Sequence, residues 1–246
     1  MPALCIRSHG IQVIIVIVSI PVFEAIGIPL SPLALIFGIG FTIATSRLSD
    51  LIPVDFGHLS ERAMLYIVFT FGEMIIVISE YFEGDFGFNT IYFSLMGFLI
   101  VVGLFQSYEV FYDHLIDREL ITSGVSYMTV HLFLIFALNN ITVALSFMRL
   151  PEVDLFAKTA FLAGSFVVYY IFLYLLGLFT KVKAKPTKKF IVCVFLILTA
   201  FSVLLIVLRD HMYVSIALTV ALVAANLYNL ISAAKKYENA CLQCGE

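Results

Sequence analysis

The chain has 246 residues, of which 62% are hydrophobic and 13% are charged, and its mean hydropathy is +1.06. A soluble domain usually contains about 45–50% apolar and about 25% charged residues, and a chain this long still needs a polar exterior. This composition excludes a soluble enzyme, a nucleic-acid-binding protein and a secreted disulfide scaffold. The formal net charge of −3 adds no further constraint. The sequence predicts an all-α, polytopic integral membrane helical bundle.

Apolar runs of about 20 residues, the length that crosses a bilayer core, recur along the chain and predict about eight transmembrane helices. Turn signals separate them, among them Gly27-Ile28-Pro29 and Lys185-Pro186. No linker or repeat interrupts the series, so we expect a single transmembrane domain over residues 1–246, ending in a short cytoplasmic tail at 235–246. The predicted spans are Ile11–Ile28, Leu33–Leu51, Leu59–Phe82, Thr90–Leu115, Tyr127–Leu150, Leu155–Phe179, Lys189–Leu208 and Met212–Ala234.

The distribution of basic residues predicts the orientation of these spans. Loops that stay in the cytoplasm are enriched in Lys and Arg. With both termini cytoplasmic, 11 of the 14 Lys and Arg residues fall on the cytoplasmic side, and only Arg149, Lys158 and Arg209 fall outside or near the outer end. The cytoplasmic set is Arg7, Arg47, Arg62, Arg118, Lys181, Lys183, Lys185, Lys188, Lys189, Lys235 and Lys236.

The third predicted span carries ionisable residues along one helix face. His58, Glu61 and Arg62 are spaced i, i+3, i+4 at its cytoplasmic start. Glu73 follows eleven residues after Arg62, which is about 16 Å further along a helix. A carboxyl group near the membrane midplane costs several kcal/mol and is a functional candidate by default.

The fourth and fifth predicted spans carry polar residues at matching depths. We expect these to share a polar interior with the third span, open to the cytoplasm. Spans six and seven are almost entirely Phe, Leu, Ile and Val, and we expect them to face lipid. The polar residues are Gln106, Glu109 and Asp113 on span four, and Tyr127, His131, Asn139 and Asn140 on span five, with weaker additions from Glu24, Asn226 and Asn229.

Each of these residues also has a structural interpretation. His58, Glu61 and Arg62 can form an ion pair at a helix start. A histidine near an interface can be a hydrogen-bonded structural residue, and the two asparagines can join neighbouring helices. Glu73 can be protonated in a structural hydrogen bond. The sequence leaves these alternatives open.

Three segments resemble the low temperature requirement A (LtrA) family of bacterial membrane proteins. The resemblance covers about residues 55–150 and implies that His58, Glu61, Arg62, Glu73 and His131 form one set. An aromatic-aromatic-Asp-Leu motif on an early helix of the family is not found, which implies a relative shortened at the N-terminus. The segments are Gly57-His58-Leu59-Ser60-Glu61-Arg62 with Phe71-Gly72-Glu73, Leu104-Phe105-Gln106-Ser107-Tyr108 through Tyr112-Asp113, and Ser126-Tyr127-Met128-Thr129-Val130-His131-Leu132, which has one extra residue before the histidine.

Three classes of function fit this pattern. The first is proton- or ion-coupled transport through a polar interior centred on Glu73. The second is a structural or partner-binding membrane protein. The third, less favoured, is an intramembrane metal-dependent enzyme using His58, Glu61, His131 and Asp113 or His114.

The partners expected are the lipid bilayer and a small ion or solute, with no nucleic acid, and self-association stays open. No cofactor is expected. The four cysteines, including the Cys241-x-x-Cys244 pair, are expected to be plain thiols.

The orientation is tested by labelling single introduced cysteines from outside the cell. A thiol in the Glu83–Gly87 loop is expected to react, and a thiol at Pro186 is expected to be protected. The reverse pattern contradicts the orientation.

Overall fold

The computed structural model describes residues 54–82, 87–149, 152–181 and 188–244, together with residues 10, 11, 13–22, 33, 36–38, 40 and 41. Two compact units are present. The first contains Met1–Asp55 and Ile121–Thr129, and the second contains Phe56–Leu120 and Val130–Glu246. The described residues are helical apart from turns and one isolated bridge, which confirms the all-α class.

Six helices in the described part of the chain are long and apolar enough to cross a membrane, and they correspond to predicted spans three to eight. A 3-10 turn at Glu80–Phe82 follows the first of these six helices. A π-helix at Phe111–Leu115 follows the second helix, and a 3-10 turn at Leu176–Phe179 follows the fourth. The six helices are α1 Phe56–Ser79, α2 Phe88–Val110, α3 Val125–Arg149, α4 Leu155–Leu175, α5 Lys188–Val207 and α6 Met212–Cys244.

The described part of the chain thus contains six candidate spans, and the predicted count of about eight is not confirmed. The first predicted span is represented by a shorter apolar helix at Val13–Val22. Most of the second, Leu33–Leu51, lies outside the described residues.

Helix α6 also runs ten residues beyond its predicted end, so most of the predicted tail is helical. Residues 235–244 contain no Gly or Pro to end the helix, and Gly245 is the first such residue.

The first unit contains a turn that requires glycine. Gly124 has a φ of 71°, in the left-handed region that other residues rarely adopt. Its carbonyl accepts a hydrogen bond from the Met128 backbone N–H, so this turn leads into the first turn of α3. The Val54 N–H donates to the Thr122 carbonyl in the same unit.

Helix α2 packs against both α1 and α6 in the second unit, and two of its glycines make these contacts close. A Cβ atom at Gly97 would lie 3.4 Å from the side chain of Ile78 on α1. A Cβ atom at Gly103 would overlap Cγ1 of Val223 on α6. Small residues allow helix backbones to approach in this way.

Aromatic contacts attach the remaining helices to this arrangement. Phe133 of α3 stacks on Phe172 of α4, with ring centroids 4.7 Å apart. Phe166 of α4 meets Phe201 of α5 edge to face. The expectation that span six faces lipid is wrong for α4, because its tyrosines and several polar side chains are buried. The expectation holds for α5, which has the lowest buried share of the six helices.

The close contact between α2 and α6 predicts that two glycine substitutions lower the stability of the protein by different amounts. Gly103→Ala is expected to lower the free energy of unfolding by about 1–3 kcal/mol, because the stiff Val223 side chain cannot move aside. Adding Val223→Ala should restore most of that loss. Gly72→Ala is the control, because a Cβ atom there meets nothing within 4 Å. Thermal unfolding of the purified variants measures both, and equal stability of the two single variants contradicts this packing.

Candidate functional site

The interior of the second unit contains a buried histidine–tyrosine pair. The Tyr108 hydroxyl oxygen of α2 lies 2.9 Å from Nε2 of His131 on α3, and either group can donate, depending on the imidazole tautomer. Both residues are only 1% exposed, and their rings meet edge to face. His131 lies six residues after the start of α3, about 9 Å along the helix. An ionisable side chain is thus held inside the bundle by a hydroxyl group from a neighbouring helix.

A series of contacts connects this pair with the end of α2. The ring of Tyr112 stacks on that of Tyr108, with centroids 6.4 Å apart. The Arg118 guanidinium lies over the Tyr112 ring at 4.5 Å, and also donates to the Asp113 carboxylate at 3.2 Å. The buried imidazole is therefore linked, through two tyrosine rings, to a half-exposed ion pair.

The π-helix Phe111–Leu115 contains Tyr112 and Asp113 and begins three residues after Tyr108. Such short π-helical segments occur frequently at functional sites. Its end is fixed to the end of α4, because the Asp117 N–H donates to the Phe179 carbonyl and the Lys181 N–H donates to the Leu115 carbonyl. His114 adds a 3.0 Å contact to Glu238 of α6. The ends of three helices thus meet around this segment.

Two tyrosines of α4 extend the polar interior. The Tyr169 hydroxyl donates to the Leu104 carbonyl of α2 at 2.8 Å. The Tyr174 hydroxyl donates to Asn226 of α6 at 3.1 Å, and the Asn226 amide in turn donates to the Leu222 carbonyl. Asn226 is buried, which confirms the weaker prediction that it belongs to the interior.

Two buried polar atoms keep unmet hydrogen-bonding capacity. Oγ of Ser94 and Nδ2 of Asn229 form no hydrogen bond with the residues that the structure describes. An unpaired buried polar atom costs about 1–3 kcal/mol. The interior of the bundle therefore contains polar groups whose hydrogen-bonding capacity the described residues do not fill.

The residues predicted on the third span lie elsewhere. Glu73 and Arg62 are exposed on the outer face of α1, as are His58 and Glu61, whose side chains are 75% and 60% exposed and 3.5 Å apart. The four share one stripe of the helix, as the spacing predicted. Within the described part of the chain this stripe does not line a polar interior, because the opposite face, with Ala63, Ile67, Thr70 and Met74, packs inward. Spacing fixes which residues share a face but not where that face points.

The predicted residues of spans four and five divide between interior and exterior. His131 is buried, Glu109 and Asn140 are partly buried, and Asn139 and Asp113 are exposed. Asp113 is connected to His131 by the contacts described above. Asn139 shares an outward face of α3 with Leu132, Phe136 and Val143. Glu24 lies outside the described residues.

The predicted metal-binding alternative is not formed. His58, Glu61, Asp113, His114 and His131 all belong to the described part of the chain, and no group of three or more His, Cys, Asp or Glu residues there could hold a metal ion. His114 instead contacts Glu238, and His131 contacts Tyr108.

Sequence reasoning assigned no role to Tyr108, the partner of His131, or to the interior tyrosines of α4. Tyr108 and Tyr112, and likewise Tyr170 and Tyr174, are spaced i, i+4 and therefore share a helix face. Aromatic residues on a membrane helix are usually attributed to lipid contact or packing. A repeated i, i+4 spacing of tyrosines in two different spans was the signal available.

The model of the family described as bacterial low temperature requirement A protein (LtrA) matches residues 4–227. The chain belongs to the LtrA family. The match extends well beyond residues 55–150, where the resemblance was visible from motifs alone. No curated protein and no solved structure matches the chain significantly. The family and the six candidate spans together are consistent with a multi-pass membrane protein.

The three LtrA-like segments contact one another through the aromatic segment of α2. Tyr108 belongs to the aromatic segment that ends in Asp113, and His131 belongs to the Ser-Tyr segment of α3. Their hydrogen bond joins the two segments inside the bundle. The third segment lies on α1, where its ionisable side chains, Glu73 among them, are exposed, whereas its buried Phe71 ring meets Phe105 of the aromatic segment edge to face, with centroids 5.4 Å apart.

The buried pair predicts a specific cost for removing one hydroxyl group. Tyr108→Phe is expected to lower the free energy of unfolding by about 1–3 kcal/mol, since the buried Nε2 of His131 loses this partner. Tyr92→Phe is the control, because that hydroxyl donates to the Tyr213 carbonyl in an exposed position. Its loss should change stability by less than about 0.5 kcal/mol. Chemical or thermal unfolding in detergent compares them, and an equal effect of both substitutions contradicts the assigned role.

Proposed function

We propose that this LtrA-family protein carries out proton- or ion-coupled transport, with His131 as the interior protonation site. The observation that carries the proposal is the burial of His131 against the Tyr108 hydroxyl, inside a bundle of candidate membrane spans. Of the four histidines that the structure describes, His131 alone is buried. Ionisable residues inside membrane bundles commonly mark proton relays and ion pathways.

The chemistry of the pair suits reversible proton binding. Neutral imidazole has one nitrogen that accepts a hydrogen bond and one that donates, whereas imidazolium donates from both. When His131 is neutral with Nδ1 protonated, the Tyr108 hydroxyl donates to Nε2. When Nε2 takes up a proton, its N–H donates to the Tyr108 oxygen instead. Rotation of one hydroxyl group therefore satisfies both protonation states.

The contacts near α2 supply a route between His131 and the bundle end that is predicted to be cytoplasmic. Tyr108, Tyr112 and the Arg118–Asp113 pair follow one another from the interior to the half-exposed end. The π-helix supports a functional role for this stretch, because short π-helical segments occur frequently at functional sites. In this proposal Asp113 and Arg118 control access, and Glu109, on the same helix, is a further polar group near the route.

A second candidate function is partner binding, and the position of Glu73 favours it. A carboxyl group on the outer face of a span faces a cost of about 2.5–3.5 kcal/mol in lipid even on lenient scales. Contact with a second copy or with another membrane protein would remove that cost. Asn139 on the outer face of α3 adds a similar polar group. Under this proposal Glu73 acts at a protein–protein contact and not in a transport pathway.

The transport proposal is tested by proton flux into liposomes that contain the purified protein and a trapped pH-sensitive dye. His131→Gln keeps a hydrogen-bonding side chain but cannot titrate, so it is expected to lower the flux at least tenfold. Tyr108→Phe should lower it less. Glu73→Gln is the comparison variant and should keep the wild-type flux.

Thermal stability and the oligomeric state of each variant separate loss of function from loss of folding. A folded His131→Gln variant with full flux contradicts the role of His131. If Glu73→Gln loses the proton flux and His131→Gln keeps it, the result supports transport through a polar interior centred on Glu73. A changed oligomeric state in Glu73→Gln, with unchanged flux, supports partner binding at that face.

A further inference from the structure

The outer surface of α5 contains a groove that the proposed transport does not use. It has a volume of about 440 Å³ and is lined by Lys189, Val192, Cys193 and Leu196. These residues are spaced i, i+3, i+4, i+7 and therefore form one stripe at the start of the helix. All four are exposed. The groove is thus a shallow apolar surface along a candidate span, with one amine at its end.

The segment that leads into α5 carries charge of a single sign. The sequence from 181 to 189 contains five lysines and no acidic residue. Two of them, Lys181 and Lys189, are described, and both are exposed. None of the described ion pairs involves either one. An occupant of the groove must therefore combine an apolar body with a negatively charged end.

We propose that this groove is a binding site for an anionic phospholipid. The acyl chain lies along Val192, Cys193 and Leu196, and the headgroup phosphate lies near the Lys189 amine. A lipid fits because the groove runs along a helix that is apolar and long enough to cross the membrane. Basic residues near a membrane surface attract anionic headgroups by about 1 kcal/mol each.

Charge complementarity favours a lipid over a second copy of the chain. A second copy related by symmetry would bring the same lysine-rich segment, or a neighbouring surface, against the groove. Juxtaposed like charges are destabilising, whereas an anionic headgroup neutralises them. The proposal is independent of the transport role of His131.

The absence of Trp from the sequence makes a fluorescence test direct. Leu196→Trp introduces a single tryptophan in the groove, at a position that is 60% exposed and tolerant of a larger side chain. Val203→Trp is the matched control, on the exposed surface of the same helix but outside the groove. Each variant is reconstituted in bilayers with brominated phosphatidylglycerol or brominated phosphatidylcholine, and the quenching by each lipid gives their relative binding constant.

The expected result is a preference for phosphatidylglycerol of about two- to fivefold at position 196 and no preference at position 203. Adding Lys189→Gln to the Leu196→Trp variant should remove this preference, so that the relative binding constant at position 196 equals the one at position 203. Lys236→Gln removes an exposed lysine of α6 and should leave it unchanged. Equal preferences at the two tryptophan positions overturn the proposal. So does a loss caused equally by both lysine substitutions, because it indicates only general surface charge.

Discussion

Inside a bilayer no water competes for a polar side chain, so a buried polar group is stabilised by a partner within the protein. His131 has such a partner in the Tyr108 hydroxyl, 2.9 Å away on another helix. The bond fixes the rotation of α2 relative to α3, because any other rotation would turn a polar group toward apolar neighbours. It also fixes the position of Tyr112 one turn further on, and with it the contact to Arg118. The candidate site and the helix arrangement therefore rest on the same contact.

Helix α2 can hold the buried pair in place because its faces contact different helices. Gly97 and Gly103 give the close approach to α1 and α6, whereas Tyr108 reaches α3. Close packing and buried polar contacts on one helix make its rotation hard to change. The π-helix that follows is the place where this regularity ends. A rigid element followed by an irregular segment is a reasonable arrangement for a site that opens toward one end of a bundle.

The sequence was sufficient for the spans but not for the direction in which each face points. Apolar runs located six helices to within a few residues, and only the end of α6 was clearly wrong, because no residue before Gly245 interrupts it. The spacing of His58, Glu61, Arg62 and Glu73 correctly placed them on one stripe. Hydropathy does not distinguish the two faces of a membrane helix, since lipid and protein interior are both apolar. For that reason Glu73 was assigned to the interior, and the tyrosines of α4 were assigned to lipid.

The most direct test of the central contact is nitrogen NMR of ¹⁵N-histidine-labelled protein in bilayers. The protein has five histidines, and His131→Gln identifies the signals of His131 by their loss. The account predicts that Tyr108→Phe shifts the Nε2 signal of His131 and leaves those of the other four histidines unchanged. An unchanged His131 signal in Tyr108→Phe would contradict the hydrogen bond on which the proposed site depends.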